Sequence, residues 1–340
     1  MRRLVCLSVA FALVGSLASA ADYKAPRTKF GAPDLQGLWT NTSLTWLQRA
    51  PIFKGLVATE AEEKMMLAGF KQMAAGLLDT HVDPNAPAPP VVKDAPQADI
   101  LEMDLRLARI NGEARSSWIV EPADGKLPFT DAGKKAARQV GSNYDGPEGR
   151  PLEERCLIAI GSPEGPPMMN TGFNGHYQIL QTKDHVAIHI EMNHDVRVIR
   201  LTDKARPPEH ITPWMGDSVG WWEGDTLVVE TTNFHPNTYV GSLTGGFRWS
   251  EKGKLVERFT RTGPNQMLYE FAAEDPVMFA KPWKAQMPLR TARGPIYEYA
   301  CHEGNYSLPN ALSGARVQEK EAKAAPPAPA GPAPAKPAAK

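Results

Sequence analysis

The stretch HVAIHIEMNHDVRVI, residues 185–199, concentrates side chains capable of proton chemistry. Read as one continuous strand, its alternate residues separate into two faces. Val186, Ile188, Ile190, Met192, Val196 and Val198 make a hydrocarbon face, interrupted by His194. His185, His189, Glu191, Asn193, Asp195 and Arg197 make the other. Two positions along a strand lie about 6.5–7 Å apart at the backbone, so His189 and Glu191 can converge on one small molecule. A carboxylate beside an imidazole orients its tautomer and raises its pKa, which suits general acid–base catalysis. Arg197 then stands as a clamp for developing negative charge. The competing reading is a water-facing wall, because antiparallel sheets often expose one polar face. The polar face carries no Lys, Thr or Ser, and this favours a cavity lining over a wet wall.

Three further stretches supply supporting groups. MGDS places Asp217 just before a strand, where it either positions a base or caps a turn. VETTNF places Glu230 after Leu227, Val228 and Val229, either as a partly buried acid or as an ion pair with Arg258 or Arg261. CHEGNYSL holds His302, Glu303 and Tyr306 directly after Cys301. The catalytic candidates are therefore His189, Glu191, Arg197, Asp217, Glu230 and His302. Trp221, Asn233, Tyr269 and Tyr306 are the candidate substrate contacts. Indole and phenol rings, with a few polar groups, suit a small apolar, aromatic or sugar-like molecule.

Other chemistries find less support. His189, Glu191 and His302 would make a two-His, one-carboxylate metal set, but no HExxH or His-x-His spacing accompanies them, so no metal is assigned. No Gly-x-Ser-x-Gly elbow marks a serine nucleophile. The Gly-Gly-Phe at Gly245 lacks the lysine and spacing of a phosphate loop. No cofactor is expected.

The two ends of the chain stand apart from any fold. Met1-Arg2-Arg3, an apolar run from Leu4 to Leu17 and Ala18-Ser19-Ala20 make the pattern of a secretory signal peptide cleaved after Ala20. The run is short for a membrane span, and no other segment approaches one. Periplasmic or secreted localisation is expected. Residues 317–340, almost all Ala, Pro and Lys from Lys320 onward, are expected to be a disordered tail. Residues 21–316 are expected to form one globular domain. The formal charge of the chain is zero and no basic stripe is present, which excludes nucleic acid as a partner. Cys156 and Cys301 survive processing; the tendency of exported proteins favours a disulfide over two buried thiols.

Residues 21–149 read as helical or irregular, with DLQGLWTN as a first strand. Thr59 and Glu62 form a capping box ahead of Met66, Phe70, Met73 and Leu77 at helical spacing. Asp99 and Glu102 precede Ile100, Met103, Leu107 and Ile110, predicting a second helix ended by Gly112. Thr130 caps a short third one ending near Gly141. From residue 150 onward the pattern is β. YQILQ, SVGWWEGDTLVVETTNF, KLVERFTRTGPNQMLYEFAAED, WKAQMPLR and IYEYACHE alternate, with tight turns at Glu223-Gly224-Asp225 and Gly263-Pro264-Asn265. The expected fold is mainly β: an antiparallel meander closed as a lipocalin-like barrel or sandwich, with a few N-terminal helices packed on it.

The segments PDLQGLWTN, ERCL, GPPMMN, YQILQTKDHVAIHIEMNHDVRVI, MGDSVGWWEGDTLVVETTNF, LVERFTR and YEYACHEGNYSL resemble, in order and spacing, a large and mostly uncharacterised family of secreted proteins of Gram-negative bacteria. The resemblance spans nearly all of residues 30–316. It implies export and a mostly β domain, and it implies no mechanism. Three function classes remain open: a periplasmic acid–base lyase, isomerase or hydrolase; a non-catalytic lipocalin-like small-molecule carrier; and an envelope-associated structural protein. The density of imidazole, carboxylate and guanidinium groups on one strand favours the first.

Overall fold

A computed structural model describes residues 23–78, 105–138, 143–159, 161–242 and 245–324. The expected signal peptide lies outside the described residues. The strands are β1 (Gly37–Thr40), β2 (Arg109–Ile110), β3 (Glu113–Ala114), β4 (Ile119–Glu121), β5 (His176–Gln181), β6 (His185–Ile190) and β7 (Val196–Arg200). They continue as β8 (Asp217–Glu223), β9 (Thr226–Thr232), β10 (Tyr239–Ser242), β11 (Gly245–Arg248), β12 (Lys254–Gly263), β13 (Gln266–Glu274) and β14 (Trp283–Thr291). Three α-helices accompany them among the described residues: α1 (Glu60–Leu78), α2 (Asp131–Arg138) and α3 (Ser307–Ala324).

The ten-stranded sheet runs β1-β5-β6-β7-β8-β9-β12-β13-β14-β4, and β1 also pairs with β14. That pairing closes nine of the strands into a barrel, with β4 attached outside the ring. The expected mainly β barrel with few helices is therefore present. The first strand, DLQGLWTN, is the piece that closes it: Trp39 pairs with both Tyr177 and Thr291. Closure removes the unpaired edges that a nine-stranded open sheet would expose.

Strand alternation fills the interior. Tyr177 and Ile179 of β5, Leu255 and Phe259 of β12, Met267 and Tyr269 of β13, and Trp283, Met287 and Leu289 of β14 are all buried in one core cluster with Trp39. The barrel is thus packed with side chains, as small barrels commonly are. A second, smaller cluster joins Met66 and Phe70 of α1 to Leu44, Phe53, Leu107 and Ala114. The capping box is formed: the backbone N–H of Thr59 donates to Glu62 Oε2 at 2.7 Å. Thr130 caps α2 through the Gly133 N–H at 3.0 Å. The side chains of Met73 and Leu77 lie outside those described.

Several expectations are corrected. Residues 105–112 are not helical. Asn111 and Gly112, at φ 54° and 83°, form the tight turn of a β2–β3 hairpin. An Asn-Gly pair is a strong signal for such a turn, and here it overrides the apolar spacing. Ile100 and Met103 lie outside the described residues. IYEYACHE contains no strand; residues 295–300 run as irregular chain and Cys301–Gly304 form a turn. Helix α3 extends through residues 317–324 of the expected tail, where Ala, Glu and Lys favour helix. Residues 325–340 lie outside those described.

Strand pairing in the barrel is antiparallel except between β7 and β8, which touch in parallel at the single pair Arg200 and Val219. A parallel neighbour needs a crossover connection, and the Pro-rich segment 201–216 supplies it. Because only that one pair is made, the two strands separate toward Val196 and Asp217, and the barrel wall splits there.

Candidate functional site

The continuous strand read from residues 185–199 is a hairpin. β6 ends at Ile190, a short 3-10 turn spans Met192–His194, and β7 begins at Val196. Asn193 and His194 turn the chain at φ 61° and 56°, with the Ile190 N–H closing on the Asp195 carbonyl at 2.9 Å. The turn shifts the alternation by one residue. On β6 the even positions face inward as expected: Val186, Ile188 and Ile190 are buried. On β7 the parity reverses. Val196 and Val198 are 48% and 51% exposed, whereas Arg197 and Ile199 are buried.

Arg197 therefore points into the barrel. Its guanidinium forms a bidentate pair with Glu257 of β12 and also donates to Ser218 Oγ at 3.1 Å and Thr231 Oγ1 at 2.8 Å. Tyr269 donates to Glu257 Oε1 at 2.7 Å, and the Met168 N–H closes on the Tyr269 hydroxyl at 3.1 Å. Burial works against the charge on Arg197, but Glu257 more than offsets it and raises the pKa. Burial, with Glu257 adjacent, pushes the Tyr269 hydroxyl up. Tyr269, expected as a substrate contact, is thus a member of a satisfied interior network.

His189 projects from the outer face of β6, its ring 5.3 Å from that of His194. Partial burial and then the His194 ring depress its pKa, against the pull of Glu191. Glu191 turns instead toward His176, whose Nδ1 lies 2.7 Å from Glu191 Oε2. The Tyr297 N–H donates to the other oxygen at 3.1 Å. Burial opposes ionisation of Glu191, but His176 and the Tyr297 N–H together hold it below the usual carboxylate range. His176 is a partner that the strand pattern did not identify.

Asp217 and Glu230 belong to a chain of ion pairs on the barrel wall. Arg200 holds Asp217 at 2.6 Å, Arg206 reaches both Asp217 and Glu230, and Lys254 closes on Glu230 at 2.7 Å. Burial raises both carboxyls, but the cations more than reverse it and leave both pKa values low. The partners of Glu230 are therefore Arg206 and Lys254, in place of the Arg258 or Arg261 expected. Asn233 ties its amide to the carbonyls of Pro208 and Ile211 at 3.3 Å each. Trp221 donates to Glu223 at 2.9 Å. His302 and Tyr306 are exposed on the segment after Cys301. Among the described residues, no three His, Cys, Asp or Glu side chains are grouped to hold a metal ion.

The split between β7 and β8 opens a cleft of about 280 Å³. Asp195, Val196, Arg197 and Val198 line one wall; Trp214, Met215 and Ser218 line the other. A third wall comes from Leu157, Ile158 and Glu164. Glu164 is 0% exposed. The Ala159 N–H donates to its Oε1 at 2.5 Å, and its Oε2 has no hydrogen-bond partner. Burial, aggravated by Asp195 and Glu153, pushes its pKa up to about 8. Oε1 accepts a backbone hydrogen bond, which leaves Oε2 as the oxygen free to carry a proton. Asp195, also raised by burial, is the second carboxyl of the cleft.

The segment carrying Glu164 is anchored by the Cys156–Cys301 disulfide, which spans 145 residues of sequence. Just before Cys301, the Tyr299 N–H donates to His194 Nδ1 at 3.2 Å, so the disulfide ties this segment to the β6–β7 turn. Sequence reasoning did not identify Glu164. Its only local signal is a carboxylate inside GSPEGPPMM, an otherwise uncharged stretch rich in Gly and Pro. No protein-family model matches the chain, and no curated protein shows significant similarity to it.

Proposed function

We propose that the protein is an exported enzyme that acts on a small organic molecule by general acid–base catalysis in the cleft between β7 and β8. Glu164 gives up and takes back a proton at Oε2, and Asp195 is the second acid. The single observation that supports this reading is Glu164 itself. A fully buried carboxyl with one oxygen unpartnered, in a cleft, with a pKa near 8, is poised for proton transfer at neutral pH. Left merely structural, such an oxygen would cost stability without return.

The reaction class is lyase, isomerase or hydrolase, in each of which a positioned acid–base group assists bond making and breaking by moving a proton. Arg197 and Ser218 line facing walls of the cleft; Glu257 and Thr231 hold the guanidinium there, so it orients rather than titrates. Export is supported by the residue 1–20 pattern and by the disulfide. A non-catalytic carrier is the second reading, and the closed barrel favours it only in this cleft, because the interior is filled by side chains.

The test is a screen of the purified protein against small lactones, esters and glycosides, each with and without an amino group. Conversion by the native chain should fall by roughly 10²–10⁴-fold in Glu164→Gln, mainly in kcat. Turnover that survives this change intact sinks the reading. Binding without turnover in both forms favours the carrier.

A further inference from the structure

Resting on that reading of the cleft, we propose that its ligand is an organic cation: an ammonium group seated between Glu164 and Asp195, with an apolar body against Trp214. The charge on the cleft walls carries this. Glu164 and Asp195 both line it, and Glu153 lies close enough to disfavour ionisation of Glu164 further. Among the described residues, the only lysine or arginine on the walls is Arg197, and Glu257 answers its charge in a bidentate pair. The cleft is therefore left with acidic groups that no protein cation compensates. Glu164 Oε2 is fully buried and unpartnered, and Asp195 is raised by burial alone with no cation counteracting it.

The other groups facing Glu164 bring no positive charge to the cleft. Tyr177 on β5 and Tyr299 beside the disulfide both feel its field, and burial drives each phenol toward its neutral form. Once Glu164 gives up its proton, the desolvated carboxylate pair attracts an ammonium strongly, because water no longer screens it. The remaining lining fixes the kind of cation. Val196, Val198 and Met215 are apolar, and Trp214 adds an indole, a ring type that attracts cations. An inorganic ion would need a third protein ligand, and none is grouped here among the described residues. A volume of about 280 Å³ admits a compact amine of one ring. When the ammonium docks, the Glu164 proton leaves Oε2 for bulk buffer, while the ammonium keeps its own protons. Glu164 then enters the reaction as a base.

Titration calorimetry of the native chain near neutral pH, with benzylamine, benzyl alcohol and benzoate as probes, tests this. The three share shape and differ in charge. Benzylamine should bind roughly tenfold or more tightly than benzyl alcohol, the scale of one desolvated charge pair, and benzoate should not bind. The heat of benzylamine binding should differ between phosphate and Tris buffers, reading the released proton. That difference should vanish in Glu164→Gln. Asp195→Asn, at a half-buried position, should weaken benzylamine about tenfold more than it weakens benzyl alcohol. Equal or tighter binding of the alcohol or of benzoate overturns the proposal, as does amine binding that ignores both substitutions. If the alcohol is preferred but Glu164→Gln abolishes turnover, the cation preference falls and the acid–base reading stands. If no probe binds at millimolar concentration and Glu164→Gln leaves turnover intact, both fall.

Discussion

Arg197 and Glu257 meet as a bidentate ion pair inside a closed barrel, with their side chains 2% and 0% exposed. All three nitrogens of this guanidinium donate, Nε to Ser218, Nη1 to Glu257 and Nη2 to Thr231 and Glu257. Breaking a buried pair from one side leaves the other charge uncompensated. Glu257→Gln or Arg197→Met should therefore cost about 3–5 kcal/mol in urea denaturation. The joint replacement Arg197→Met with Glu257→Leu should recover much of that loss. Single variants as stable as the native chain would contradict the interior placement of Arg197.

The disulfide closes a loop across 145 residues of sequence and should contribute about 2–5 kcal/mol. Protein lacking residues 1–20, and with them Cys6, should show no alkylatable thiol by mass spectrometry when isolated without reductant. Cys156→Ser with Cys301→Ser should lower the denaturation midpoint and loosen the segment carrying Glu164. Two free thiols in the isolated protein would remove this tether.

Asp217 and Glu230 are expected to be structural. They lie in partly exposed ion pairs with Arg200, Arg206 and Lys254, so Glu230→Gln should cost no more than about 1 kcal/mol. Their pKa values are depressed in the folded chain, so the stability they give is present above the ordinary carboxylate range. It is lost as pH falls through the folded values. A large loss of ligand binding in Glu230→Gln, at unchanged stability, would place Glu230 in the site instead.

Glu164 has the opposite linkage. Its folded pKa is near 8, against about 4.3 for an unfolded glutamate. Between those values the native state holds a proton that the unfolded state has lost. Stability from this group is complete below the unfolded pKa and falls with rising pH, by about 1.4 kcal/mol per unit. Denaturation of the native chain between pH 5 and 8 should show this slope superimposed on other titrations. Glu164→Gln should lack it and be the more stable form at alkaline pH. Identical slopes in the two proteins would contradict a protonated Glu164.

The barrel was legible in the sequence because its strands alternate and their turns carry Gly, Pro and Asp, as at Glu223-Gly224-Asp225 and Gly263-Pro264-Asn265. The hairpin at residues 191–195 was not, because Asn193 and His194 make it without glycine or proline. Asn and His tolerate positive φ, so Asn-His-Asp was the available signal. Missing that turn put Val196 and Val198 on the wrong face and left Arg197 facing solvent or a cavity. The polar candidates then dispersed: Arg197 inward, Glu191 to His176, and His189 outward. Glu164 lies in irregular chain, where no periodicity marks which side chains are buried. Its environment arises from the disulfide-tied segment and the split in the wall, both set by long-range contacts.

The most direct measurement is the titration of the Glu164 carboxyl, followed by carbon NMR of glutamate-labelled protein and assigned by its absence from Glu164→Gln. The midpoint should lie near 8 in the free protein and drop toward the ordinary range when benzylamine occupies the cleft. A midpoint of about 4.3 in the free protein, the value of a solvated glutamate, would contradict a proton held by Glu164 at neutral pH.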